Sequence, residues 1–138
     1  MIFTIPKLRG TDAQGSGAYG APRGERKHKG VDYACRPGTK VYAAVWGRVT
    51  RLGYPYKGNK NLRLIEIKET ANHALVRYMY VDPAVGKGDW IEPGELLGKS
   101  QKLPYKGITQ HVHVDVKVVP RGKTRRQFVD PVEYFEEG

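Results

Sequence analysis

Three of the four histidines in this 138-residue chain fall in two short clusters, and each cluster also carries a carboxylate. In His111-Val112-His113 the strand period of two puts both imidazoles on one face, with Cβ atoms about 6–7 Å apart. Asp115 follows on that face, while Val112, Val114 and Val116 point to the other side and read as core. In His28-Lys29-Gly30-Val31-Asp32 a histidine and a carboxylate stand four apart in a glycine-bearing, non-helical segment. A turn and the strand after it can fold two such side chains toward one point. Zinc takes imidazole nitrogen and carboxylate oxygen in tetrahedral sites, and a catalytic zinc keeps its fourth position for water. Together the clusters supply two imidazoles and one carboxylate, with His111 to spare. Each motif alone is weak, because an exposed His-x-His pair and a surface His–Asp ion pair are the ordinary alternatives.

The elements that must position these residues read as short strands. Seventeen Gly and nine Pro are scattered as turn signals, at Pro22, Pro37-Gly38, Pro55, Pro93-Gly94 and Pro104. A short strand is expected at Phe3 to Ile5, followed by loop to about residue 27. Lys40 to Tyr54 reads as two strands about a bend at Gly47. Leu62 to Ile67 alternates and pairs with Ala74 to Val81 across a loop at Lys68 to His73. Two short elements flank Pro93-Gly94. His111 to Val118 alternates with period two throughout, and Phe128 to Phe135 closes the chain with one helical turn. No segment has a 3.6-residue apolar period, so the fold class is all-β, with neither repeats nor a domain boundary.

Composition narrows the function classes. At 138 residues, 39% apolar and 28% charged, the chain has the balance of one soluble domain. It has no run of 18 apolar residues to span a membrane. The start, Met1 to Lys7, does not read as a secretory signal. One cysteine, Cys35, excludes an internal disulfide and fits synthesis in a reducing cytoplasm; it reads as a small buried hydrophobe. The formal charge of +10 calls for anionic partners without choosing among them. The stretch Lys117 to Arg126 reads as a solvated basic loop rather than a phosphate site. Specific nucleic-acid binding is not expected, since a recognition-helix pattern and a stacking-aromatic motif are both missing.

Several motifs in order carry a family resemblance. Gly20-Ala21-Pro22-Arg23-Gly24, His28-Lys29-Gly30-Val31-Asp32, Pro37-Gly38-Thr39-Lys40-Val41-Tyr42-Ala43-Ala44 and Gly47-x-Val49 resemble the front half of the lysostaphin and LytM-type zinc endopeptidases. Gly88 to Gly98 and His111-Val112-His113-Val114-Asp115-Val116 resemble the rear half. The resemblance implies a single compact antiparallel β-sheet domain of the lysostaphin type (the duplicated hybrid motif) over 1–138, with its core at about 15–132. It also implies cleavage of peptide bonds in the stem peptides or cross-bridges of bacterial peptidoglycan. His28, Asp32 and His113 would hold Zn2+, and His111 would be a catalytic histidine. Zinc lowers the pKa of its water and polarises a carbonyl, and a neighbouring imidazole can take up a proton or stabilise an oxyanion.

One position departs from the family pattern. Its second catalytic histidine belongs to a stretch reading Tyr-x-His-Leu, and here that stretch is Tyr78-Met79-Tyr80-Val81. An animal branch of the family also has tyrosine there, keeps the zinc ligands and is regarded as having lost peptidase activity. Tyr80 thus reads as a substitute oxyanion donor, as the mark of a zinc module that recognises wall peptides or another polymer without cutting them, or as a core aromatic. A tyrosine of ordinary pKa near 10 is no base at pH 7, but it donates a hydrogen bond. His73 reads as an exposed loop histidine. The segments Tyr54 to Lys60 and Lys102 to Gln110 are candidate groove walls, with Tyr54 and Tyr56 as substrate-binding candidates. The chain is expected to be monomeric, made in the cytoplasm without a signal peptide, and to act on the wall as a phage virion-associated or lysis-released lysin drawn to anionic envelope polymers.

Overall fold

The computed structural model describes residues 11–12, 15–23 and 26–137. The strand expected at Phe3 to Ile5 lies outside these described residues. The strands are β1 (Thr11–Asp12), β2 (Gly15–Ser16), β3 (Pro22–Arg23), β4 (Arg26–Lys27), β5 (Val31–Ala34), β6 (Lys40–Tyr42) and β7 (Gly47–Gly53). They continue as β8 (Leu64–Glu69), β9 (Leu75–Met79), β10 (Val81–Pro83), β11 (Trp90–Ile91), β12 (Leu96–Ser100), β13 (His111–Val118) and β14 (Gln127–Val129). Among the described residues one helix, α1 (Pro131–Glu137), follows β14. The antiparallel, nearly helix-free architecture agrees with the expected fold class, and α1 exceeds the single turn anticipated.

A seven-stranded sheet runs β11-β7-β8-β9-β13-β14, with β5 also paired to β13. β13 is eight residues long, long enough for β5 to pair with its first half and β14 with its second, while β9 runs along its other edge. A second sheet, β10-β12-β6, lies against the first. Between them sits the core: Ile65, Ile67, Val76, Tyr78, Val112, Val114 and Val116 from the large sheet, and Val41, Val81 and Leu97 from the small one, all fully buried. The alternation fixes what faces away from that core. On β13 it is His111, His113 and Asp115; on β9 it is Arg77 and Met79. Tyr78 remains on the core side, its hydroxyl accepting a hydrogen bond from the Ala44 amide at 3.0 Å.

Two expectations need correction. Ala74 to Val81 is not one strand, because Tyr80 has φ +69° and breaks it, so β9 stays in the large sheet and β10 starts the small one. That left-handed conformation is uncommon for a residue with a side chain. It is held by two backbone bonds, Tyr80 N–H to Arg63 O and Gln101 N–H to Tyr80 O, each 2.8 Å. Cys35 is half-buried at the edge of the core rather than buried within it. Helix α1 starts where Asp130 Oδ1 accepts the Val132 amide at 3.0 Å, a side-chain cap, with Pro131 in the first turn. Its Phe135 closes the core beneath. No helix among the described residues is long and apolar enough to cross a membrane.

Candidate metal centre and its groove

His28 precedes β5, Asp32 is its second residue, and His113 stands opposite Asp32 in the β5–β13 register. That pairing brings three donor atoms to one point. His28 Nε2 lies 3.1 Å from His113 Nδ1 and 3.3 Å from Asp32 Oδ1, and His113 Nδ1 lies 3.0 Å from the same oxygen. Zinc–ligand bonds of about 2.0–2.2 Å in a tetrahedron place neighbouring donors roughly 3.3 Å apart, so the spacing fits that ion. The donor chemistry fits too. His28 Nδ1 donates to Ala18 O at 2.9 Å, and His113 Nε2 bonds Asp115 Oδ2 at 3.0 Å. Each outer bond takes one ring nitrogen and turns the other inward as the ligand atom.

The arrangement is stiffened from behind. Asp115 is 1% exposed and receives both arms of Arg77, Nε to Oδ1 at 2.7 Å and Nη2 to Oδ2 at 2.8 Å. The three partners come from one register: Arg77 is opposite Asp115 across β9–β13, and Asp115 follows His113 on its own face. Gly30, between His28 and Asp32, lets the strands approach this closely. A Cβ there would lie 2.4 Å from Val114 O and 2.6 Å from His113 Cε1.

These contacts set the charges. Burial alone would raise the Asp32 carboxyl, but hydrogen bonds from His113 and His28, with the charges of His113 and His111, hold it far below the usual carboxylate range. Burial would likewise depress His113, yet its bonds to Asp115 and Asp32 outweigh it and push the ring up to about 9. Asp115 is held below its ordinary value in spite of burial by His113 and Arg77. Both carboxylates thus stay ionised, balanced in the metal-free chain by protonated His113 and by Arg77.

His111 stands beside it, 4% exposed. Its Nδ1 donates to Thr109 O at 2.7 Å, which leaves Nε2 as the acceptor nitrogen, 3.5 Å from Asp32 Oδ2. Tyr80 packs edge-on against His111 with ring centroids 5.5 Å apart. Its hydroxyl is hydrogen-bonded to that of Tyr56. Burial, and then the neighbouring Tyr56, push the Tyr80 phenol far above its ordinary value, so it stays protonated as a donor. The buried ring also joins Leu62 and Leu103 in a satellite cluster. Tyr80 therefore lines the site and fills a small core together.

The centre forms the floor of a groove of about 500 Å³. One wall is aromatic and apolar, from Tyr56, Tyr80, Tyr105 and Ile108; the other is basic, from Arg23, Lys27, Lys29 and Arg77, with Phe128. Both candidate wall segments contribute, through Tyr56 and through Tyr105 and Ile108. Tyr54 does not line the groove and instead lies under the Arg63 guanidinium, 5.2 Å away. His73 is exposed in the turn after β8, where its carbonyl accepts from Arg126. In the basic stretch, Arg121, Lys123, Arg125 and Arg126 are exposed, while Lys117 is half-buried beside Phe128. Arg77 and the pairing of Tyr56 with Tyr80 were not anticipated. A carboxylate two residues beyond His113 was the available signal for Asp115.

The sequence matches the family described as Peptidase family M23 over residues 26–131. It is 38% identical to leukocyte cell-derived chemotaxin-2 of Mus musculus over 111 residues, which is 79% of this chain and 72% of that one. Among solved structures, the fold superposes on lysostaphin with a TM-score of 0.69 at 23% identity, covering 96% of this chain and 55% of that longer one. On the catalytic domain of lysostaphin from Staphylococcus simulans the TM-score is 0.68 at 26% identity, covering 88% of this chain and 90% of that one.

Proposed function

The chain belongs to peptidase family M23, and from that premise we propose that it is a zinc metalloendopeptidase that cuts peptide bonds in bacterial peptidoglycan. The observation that carries this reading is the meeting of His28 Nε2, Asp32 Oδ1 and His113 Nδ1 within 3.0–3.3 Å on the floor of an open groove, with His111 beside them. Zinc held by these three atoms would supply Lewis acidity toward a carbonyl and a nucleophile at neutral pH.

The chain's own residues supply the rest. Asp115 and Arg77 hold the His113 ring in the tautomer that presents Nδ1. His111, its Nδ1 tied to Thr109 O, offers Nε2 to take up a proton and later return it. The Tyr80 hydroxyl, kept protonated by burial, donates toward the oxygen on which negative charge develops. The groove walls orient an extended peptide across the floor. The place of action we propose is the wall, as a lysin of phage or bacterial origin.

A second reading is favoured by one observation: Tyr80 replaces the family histidine and its hydroxyl is engaged by Tyr56. On that reading the chain is a zinc-bearing module that recognises wall peptides or another polymer without cutting them. The assay that separates the two is incubation of zinc-loaded protein with purified peptidoglycan, scored by new amino termini. Cleavage supports the peptidase; its absence across pH and salt with zinc bound would sink it.

A further inference from the structure

Three cations converge on Phe128 in the groove wall; Lys29 and Arg77 line the groove as well, and Lys117 stands against the ring just outside that lining. Lys117 Nζ lies 4.9 Å, Lys29 Nζ 5.1 Å and Arg77 Cζ 5.5 Å from the centroid of Phe128. The register builds part of this group, since Lys117 is opposite Phe128 across β13–β14 and next after Asp115 on the outward face. Arg77 is neutralised by its two-point bond to Asp115. Among the described residues, Lys29 and Lys117 have no carboxylate within ion-pair distance. The two acids that line the groove, Asp32 and Asp115, are already engaged by histidines and arginines.

The ring's negative face accounts for one cation near it. With Arg77 balanced by Asp115, the two lysines beside the ring still repel each other. The Lys117 ammonium has its pKa lowered by burial first and by the charges of Arg77 and Lys29, against an opposing pull from Asp115 and Glu66. An incoming anion would relieve the repulsion and make charge-assisted hydrogen bonds with the lysines. Lys27 adds further positive charge on the same wall, while the opposite wall at Tyr56, Tyr105 and Ile108 carries none.

We propose that the groove wall at Phe128 and Lys29, backed by Lys117, is an anion subsite for a carboxylate carried by the bound peptide, so that the chain selects acid-bearing peptides over neutral ones. This rests on the peptide-binding reading above for its ligand.

The test uses capped tetraglycine amides in which one residue is replaced by glutamate or by its neutral isostere glutamine, at each position and in both chiralities. Binding to the zinc-loaded full chain is measured by calorimetry at low salt. The best glutamate peptide is expected to bind at least about tenfold more tightly than its glutamine counterpart. K29Q/K117Q should cut that preference to about twofold or less, and K29Q alone, at an exposed position, should lower it at least threefold, roughly one lost charge-assisted contact. K40Q/K99Q removes the same charge from neighbouring positions of the small sheet that do not line the groove, and should leave the preference intact. Three results overturn the proposal: no glutamate preference in the parent chain, a preference that survives K29Q/K117Q, or one lost equally in K40Q/K99Q. Failure of any glutamate peptide to bind counts with the first. Loss of wall cleavage alone would overturn only the peptidase reading, because this measurement needs no turnover.

Discussion

Asp115 Oδ2 lies 3.0 Å from His113 Nε2, on the side of the ring away from the metal-facing nitrogen. The carboxylate cannot swing away, because Arg77 grips both of its oxygens. This fixes the ring's orientation and raises the basicity of Nδ1. Asp115→Ala is expected to weaken zinc affinity about 10–100-fold, with Asp115→Asn intermediate because the amide oxygen still accepts the Nε2 proton. Competition with a chelating dye measures both. Unchanged affinity in Asp115→Ala would show that the ring is held by packing alone.

Gly30 controls the same centre from the other strand. Its missing Cβ leaves room for the Val114 carbonyl and the His113 ring, and the nearest contact of 2.4 Å is to backbone, which cannot rotate aside. Gly30→Ala should therefore push β5 from β13 and separate Asp32 from His113. We expect zinc affinity to fall at least about tenfold, as for loss of an outer partner of a ligand, with a lower melting temperature. Wild-type affinity in this variant would mean that the strands give way without moving the ligands.

Much of this site was legible in the sequence, for a definite reason. Short-range rules place the residues within each cluster, a period of two for His111 and His113 and a four-residue spacing about Gly30 for His28 and Asp32, whereas the joining of the clusters into one site was implied by the family resemblance. The valine face of β13 follows from the same alternation. What escaped depends on pairing distant in sequence. Arg77 meets Asp115 only because β9 and β13 share an edge at that register. Tyr80 reaches Tyr56 from a corner at φ +69°, which no alternation pattern encodes, since a run of apolar and aromatic residues reads as continuous strand. Tyr54 and Tyr56 share a segment that flanks the strands bearing Tyr80 and His111; their fates diverge where Tyr54 lies under Arg63.

The protonation of His113 predicts how the metal-free chain responds to pH. Its folded pKa, about 9, exceeds the unfolded value of 6.5, so protonated His113 stabilises the fold fully below about 6.5. That contribution is lost as pH rises through about 9. Asp32 and Asp115 are depressed, so their contribution is present above the unfolded value of 3.8 and is lost as pH falls below it. Thermal melts of chelator-treated protein should show a maximum between these limits and a decline from pH 6.5 to 9. Saturating zinc should flatten the alkaline decline, because the metal then occupies the place of the proton. A metal-free melting temperature that rises from pH 6.5 to 9 would contradict the assignment.

His111 differs from the three ligands in the kind of loss it should produce. Its Nδ1 is tied to a backbone carbonyl as that of His28 is, but its Nε2 faces Asp32 Oδ2 at 3.5 Å rather than the point where His28 Nε2, Asp32 Oδ1 and His113 Nδ1 meet, so it serves proton transfer rather than metal retention. His111→Ala should keep zinc affinity within about threefold while wall cleavage falls about 10²–10⁴-fold, the usual worth of a general base. Loss of zinc in parallel with activity would move His111 into the ligand set.

Tyr80 carries the last prediction, and the sharpest division between the two functional readings. If its hydroxyl donates to developing negative charge, Tyr80→Phe should lower kcat about 10²–10³-fold and leave zinc affinity unchanged. The ring would still fill the cluster with Leu62 and Leu103, so the fold should survive the loss of one oxygen. Tyr56→Phe should cost less, about tenfold or below, because Tyr80 keeps its own donor and loses only a partner. The raised Tyr80 pKa adds a further mark: no alkaline limb assignable to the phenol should appear below pH 10 in the parent chain. Equal kcat for the parent and Tyr80→Phe would remove the hydroxyl from the chemistry and leave Tyr80 as a packing residue at a corner of the sheet.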